Sequence, residues 1–274
     1  MTLQQIEIIF NRAWRFAFSL KKCLFLFVFL VLCGTFAVFC HTVAAISGIW
    51  IKLIMYFLPG FLLSGVLLAL GVFFARVYYS EMKGLTVTFR EVFRSSVKLL
   101  VNVTQIALPL VMTYLVIWMV MGIFYLIREI PYIGESIGLI LSFAPFILIL
   151  SSLLLCLGCA FALFFVTPHI AFKNSEDGNF IRSLISSFVN NIFSNILLFL
   201  IAFSPCLVMI LLLMASGSIA QIGLIDAYSV FKSGMQWFFM MIPFCAALTP
   251  IVLFFFNFSV ESYNLIRKQK RLQA

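Results

Sequence analysis

Six long apolar runs separated by short polar segments make up most of this chain: Cys23 to Ala45, Leu53 to Ala75, Leu99 to Ile127, Ile137 to Val166, Ile192 to Met214 and Trp237 to Val260. Each is long enough to cross a hydrocarbon layer of about 30 Å as a helix, which takes on the order of 20 residues. None shows the period-two alternation of a barrel strand, and backbone polar groups facing lipid must be satisfied within their own segment, so the pattern predicts helices. The third and fourth runs exceed the minimum, and Pro109 and Pro145 within them predict tilting, kinking or an interfacial first turn. The expected fold is all-α: a polytopic membrane protein of six transmembrane helices arranged as three hairpins.

Between the runs a second period emerges. In Thr86 to Lys98, Phe89, Val92, Phe93 and Val97 recur at helical spacing opposite a basic stripe of Arg90, Arg94 and Lys98, and Thr88 with Glu91 has the spacing of a capping box. Asp177 to Asn191 sets Phe180, Leu184 and Phe188 against Ser183, Ser187 and Asn190, after the helix-start residues Asp177 and Asn179. At the N-terminus Leu3, Ile6, Phe10, Ala13 and Trp14 oppose Gln4, Glu7, Asn11 and Arg15. These segments predict amphipathic interfacial helices over 3–18, 86–98 and 179–191, lying flat on one leaflet. The pairs Phe73-Phe74, Phe164-Phe165 and Phe255-Phe256 stand 91 residues apart each time, and the same offset relates Phe89 to Phe180 and Ser95-Ser96 to Ser186-Ser187. A single membrane domain of three approximate repeats, 1–85, 86–176 and 177–274, follows as an expectation.

Composition agrees with the pattern, at 64% hydrophobic, 10% charged, 34 Phe and a mean hydropathy of +1.19. Charge adds orientation. Fifteen of the 18 Lys and Arg fall on one side of the alternation; only Lys52, Arg128 and Lys232 fall on the other. Basic residues resist translocation, so the multi-pass chain is expected with both ends cytoplasmic and its first apolar run an uncleaved signal-anchor. The net charge of +9 then belongs to the cytoplasmic face, whose natural counter-charge is anionic lipid. A nucleic-acid partner is not expected, since no separate soluble basic region is present.

Candidate chemistry is sparse. Cys156 and Cys159 form a C-x-x-C within an apolar run that offers no second ligand pair, and all seven cysteines lie in or beside spans, where Cys packs as a small hydrophobe. His41 and His169 read as boundary residues. No Asp, Glu, Lys or Arg occupies the centre of a run, where a charge costs at least about 2.5 kcal/mol and persists only for use. The nine acidic residues are dispersed, and no nucleotide, metal-helix or nucleophile motif is present. No enzyme, cofactor, catalytic residue or metal site is expected. Gly60 with Ser64, Gly65 with Ala69, and Gly71 predict seams of close helix packing. Ala215 to Gln236 reads as a weakly polar loop carrying a small surface helix.

The segment Val166 to Ile201, with Pro168, Ser187, Asn190 and Asn195, resembles the elbow of six-span bacterial inner-membrane proteins of the YciC-like type, including the membrane domain attached to some glycerophosphodiester phosphodiesterases. The resemblance implies a span ending near Pro168 and an amphipathic helix leading into the next. It carries over no catalytic residue. Two functions stay open: a non-enzymatic protein binding or organising anionic membrane lipid or a membrane-protein partner, or a permease for an apolar or zwitterionic solute through helices broken at Pro205 or Pro243. The residues expected at a lipid or partner contact are Arg90, Arg94, Lys98, Arg182, Arg12 and Arg15.

Overall fold

The computed structural model describes residues 3–84, 89–97, 99–128, 130, 143–172, 192–222 and 230–273. Eight helices lie within them: α1 (Leu3–Ala17), α2 (Leu20–Ile46), α3 (Ile49–Met82), α4 (Phe89–Val97), α5 (Leu100–Arg128), α6 (Phe143–Phe172), α7 (Ile192–Ile222) and α8 (Val230–Gln273). Six of these, α2, α3, α5, α6, α7 and α8, are long and apolar enough to span a membrane. The protein is therefore an all-helical, multi-pass membrane protein. An even number of spans puts both ends of the chain on the same side, together with most of the basic residues.

Several helices overrun their apolar runs. α3 continues to Met82 and stops where Gly84, at φ 67°, takes the left-handed conformation that glycine tolerates, while the amides of Lys83 and Gly84 bond back to the carbonyls of Tyr79 and Glu81. α6 passes through Pro168 and is described to Phe172, four residues beyond it. α7 runs to Ile222 and α8 begins at Val230, so most of the loop expected over 215–236 is helix; residues 223–229 lie outside the described residues. Pro145 sits in the first turn of α6, where its missing N–H costs nothing.

Hairpin partners α2–α3, α5–α6 and α7–α8 pack together, and α3, α6 and α8 also contact one another at the centre. Each remaining span sits between its own partner and the central helix of the preceding hairpin. α2 packs on α3 and α8, and α5 on α6 and α3; α7 packs on α8 and reaches α6 through the stacked rings of Phe199 and Phe161, 3.9 Å apart. The three Phe-Phe pairs belong to this centre: Phe73, Phe74, Phe164, Phe255 and Phe256 share one buried cluster, with Phe164 and Phe255 at 5.5 Å.

Glycines do not all serve as expected. A methyl group on Gly65 would rest 3.3 Å from Ala107 of α5, as a packing seam requires, whereas Gly60 faces open space. Beside it, Phe61 stacks on Tyr114 at 4.3 Å, and the Tyr114 hydroxyl donates to the Ile54 carbonyl at 2.8 Å, tying α5 to α3. Tyr114→Phe keeps the ring and removes the bond, and is expected to lower resistance to unfolding in micelles by about 1 kcal/mol. An unchanged unfolding midpoint would show that the bond contributes nothing.

Candidate functional site

Depth in the bundle can be read from aromatic residues. His41 lies 4.8 Å from Trp237 and 5.8 Å from Tyr56, a group of amphipathic rings suited to a membrane boundary and drawn from α2, α8 and α3. Counting about 20 residues, or about 30 Å, along each helix from this group reaches Lys21 on α2, Arg76 on α3 and Asn257 on α8. Buried polar side chains gather at that level, among them Lys22, Tyr78, His169, Asn257, Ser259, Glu261 and Ser262, and the only charged ones buried among the described residues, Lys22 and Glu261, are there. The polar layer lies one bilayer thickness from the aromatic group, at the basic end of the molecule.

α1 closes this layer. Ile6, Ile9, Ala13 and Ala17 recur at helical spacing and are buried against the bundle, chiefly on α8. Ala13 and Ala17 let the two backbones approach, and the Asn257 side-chain amide donates to the Ala13 carbonyl at 3.3 Å. Phe10 meets Phe254 edge-on at 4.9 Å, and Trp14 does so at 5.2 Å. Of the apolar face that the sequence assigns to the leaflet, Ile6 and Ala13 are thus covered by protein and Phe10 is half-buried, while Trp14 stays exposed. Its periodicity recorded an apolar partner without distinguishing lipid from a neighbouring helix.

Two ion pairs hold this arrangement. Glu261 is 4% exposed; its Oε1 accepts from the Tyr78 hydroxyl at 2.7 Å and stands 3.5 Å from the guanidinium of Arg12. Lys22, equally buried, places its Nζ 2.6 Å from Glu81 and also donates to the Phe16 carbonyl at 3.3 Å. The Phe16 ring lies edge-on to Tyr78 at 5.6 Å, so the two pairs pack side by side. Farther round, the Nε of Arg76 donates to the Ala171 carbonyl of α6 at 3.2 Å and its Nη1 to Ser95 of α4 at 2.5 Å. His169 at this level is buried among the helices, edge-on to Tyr263 of α8 at 5.9 Å.

Among the described residues, two clefts open at the basic end. One, of about 610 Å³, is lined by Asn11, Arg12, Arg15, Phe16, Glu81 and Met82. The other, of about 490 Å³, lies among α3, α4, α6 and α8, with Arg76, Tyr79, Ser80, Ser95, Asn264 and Arg267 in its wall and Glu91 also lining it. Of the residues expected at a contact, Arg12 and Arg15 share the first cleft. Arg94 is exposed on α4, and Arg90 is in the same helix. Lys98 and Arg182 lie outside the described residues, as does the whole of the elbow helix expected over 179–191, including Ser187 and Asn190.

Sequence reasoning missed Lys22, Arg76, Tyr78, Glu81 and Glu261. A signal existed: Asn257, Glu261, Asn264 and Lys268 continue the helical phase of the last run as a polar stripe. Among the described residues no three His, Cys, Asp or Glu side chains come together to hold a metal; Cys156 is exposed on α6 while Cys159 is buried. Comparisons with protein-family models, curated proteins and solved structures return no match to this chain.

Proposed function

We propose that this multi-pass protein is a non-enzymatic organiser of the bacterial inner membrane that binds anionic lipid on its basic, cytoplasmic side, as the YciC-like architecture also allows. The observation that carries this reading is the first cleft. Arg12 and Arg15, with the single carboxylate of Glu81, line an open cavity at the basic end of the bundle, and the exposed apolar residues Phe18 and Leu20 follow closely in the chain. A phosphate group and an acyl chain would find complementary surfaces there. Arg94, exposed on α4, adds positive charge at the same end, and the alternation of the sequence assigns Arg90, Lys98 and Arg182 to the same side of the membrane. A membrane-protein partner with an acidic surface would use the same residues. The permease reading has less support, since Pro205 and Pro243 lie inside the continuous helices α7 and α8.

The test is native mass spectrometry of protein released gently from its own membrane, comparing the wild type with Arg15→Gln/Arg90→Gln/Arg94→Gln/Lys98→Gln. Each basic side chain near an anionic surface contributes about 1 kcal/mol, so this variant, which removes charge from the first cleft as well as from the collar, is expected to retain markedly fewer anionic lipids. Unchanged lipid and partner retention would overturn the proposal.

A further inference from the structure

The second cleft has a construction that the collar of surface charges lacks. Arg76 is half-buried, and two bonds to two other helices fix its guanidinium: Nε on the Ala171 carbonyl of α6 and Nη1 on the Ser95 hydroxyl of α4. Those bonds use two of the five N–H donors of an arginine. A guanidinium held this way has already lost the rotamer freedom that a mobile surface arginine must give up on binding. Arg267 of α8 lines the same cavity, with the hydroxyl-bearing Tyr79 and Ser80 and the amide of Asn264 around it. Two guanidinium groups against the single carboxylate of Glu91 in the same wall leave a net positive site with neutral donors, which matches a tetrahedral oxyanion because a planar fork of N–H groups meets two phosphate oxygens at once. The cavity volume of about 490 Å³ exceeds what an inorganic ion needs and suits a phosphate carrying a glycerol-sized substituent. Four helices, including the amphipathic α4, contribute to the wall, so an occupant would also lock α4 onto the bundle.

We propose that this cleft binds one phosphate-bearing group through Arg76 and Arg267, as the headgroup of a single tightly held phospholipid or as a soluble phosphomonoester. The inference deepens the lipid-binding reading by separating one specific, pre-organised site from the diffuse collar.

The test uses the full-length protein, delipidated in a neutral detergent, with phosphatidylglycerol, phosphatidylcholine, glycerol 3-phosphate and inorganic phosphate as probes, followed by native mass spectrometry and calorimetry. One phosphate-bearing molecule per chain should bind in the wild type, with a roughly ten-fold or greater loss of affinity in Arg76→Gln/Arg267→Gln. Circular dichroism and the unfolding midpoint would confirm that the variant is folded. Should Arg76→Gln fail to fold, Arg267→Gln alone still carries the test, because Arg267 is exposed and removing it leaves both Arg76 bonds in place. Saturable binding of phosphatidylglycerol that the soluble probes cannot displace assigns the site to lipid; binding of glycerol 3-phosphate without lipid assigns it to a soluble phosphomonoester. Equal affinity in the wild type and a folded variant overturns the proposal. Arg90→Gln/Arg94→Gln/Lys98→Gln should reduce loosely held lipid and spare this one molecule, so failure of the collar reading and failure of the cleft are read on different variants.

Discussion

Gly71→Val is expected to destabilise the bundle by about 3 kcal/mol or more, the upper end of what overpacking costs. A Cβ built on Gly71 would stand 2.5 Å from Cε1 of Phe256 and 2.9 Å from Cγ2 of Thr167, far inside van der Waals contact. Neither neighbour can yield cheaply. Phe256 is 1% exposed with its ring locked among α3, α6 and α8, and Thr167 is fully buried with its hydroxyl donating to the Leu163 carbonyl. Lipid chains are as apolar as the residues they would displace, so helices in a membrane associate largely by close packing, and a glycine at the closest approach sets how near they can come. Gly71→Ala should already lower the unfolding midpoint in micelles, and Phe256→Leu in the same chain should recover part of the loss by removing the ring edge. Gly60→Ala is the control. It meets open space and is expected to be neutral or to gain up to about 1 kcal/mol from helix propensity. Equal effects at the two glycines would show that the three central helices do not pack as described.

That contrast also shows how far the sequence could be read. Small residues in the second apolar run mark it as a packing helix, but their spacing treats Gly60 and Gly71 alike; only the position of Phe256, 185 residues later, separates them. The six spans, their pairing into hairpins and the concentration of basic residues at one end were legible, because the bilayer imposes length and apolarity on each segment separately. Helix ends were not. α3 and α8 continue past the hydrocarbon edge because Tyr78, Glu81 and Glu261 find partners on other helices, and a helix whose polar residues are satisfied has no reason to stop there. The same long-range pairing hid the polar layer: Tyr78 and Glu261 are separated by 183 residues and Lys22 and Glu81 by 59, so dispersed acids in the sequence become a buried network in the fold.

The ion pairs of that network are expected to respond asymmetrically to substitution, in a way opposite to intuition. In each pair one side chain is buried and the other can reach water: the Lys22 side chain is 5% exposed against 34% for that of Glu81, and the Glu261 side chain is 5% exposed against 47% for that of Arg12. Removing the buried charge leaves a partner that water can solvate. Removing the exposed partner strands a charge with little solvation, and an uncompensated buried ion is the costly outcome. Glu81→Ala is therefore expected to destabilise by about 2–4 kcal/mol, because the Lys22 ammonium would retain only the Phe16 carbonyl and the face of the Phe16 ring. Lys22→Met, which keeps the volume and deletes the charge, should cost less than about 1 kcal/mol, and adding it to Glu81→Ala should restore most of the loss. The Arg12 pair should follow the same order with smaller values, since its 3.5 Å separation and its exposure weaken the attraction: Arg12→Met should cost more than Glu261→Gln, whose amide oxygen can still accept from Tyr78. Unfolding of the five variants in one detergent decides the matter. Similar costs for Glu81→Ala and Lys22→Met would mean that water reaches Lys22, and that α1 does not seal the polar layer at the basic end of the bundle.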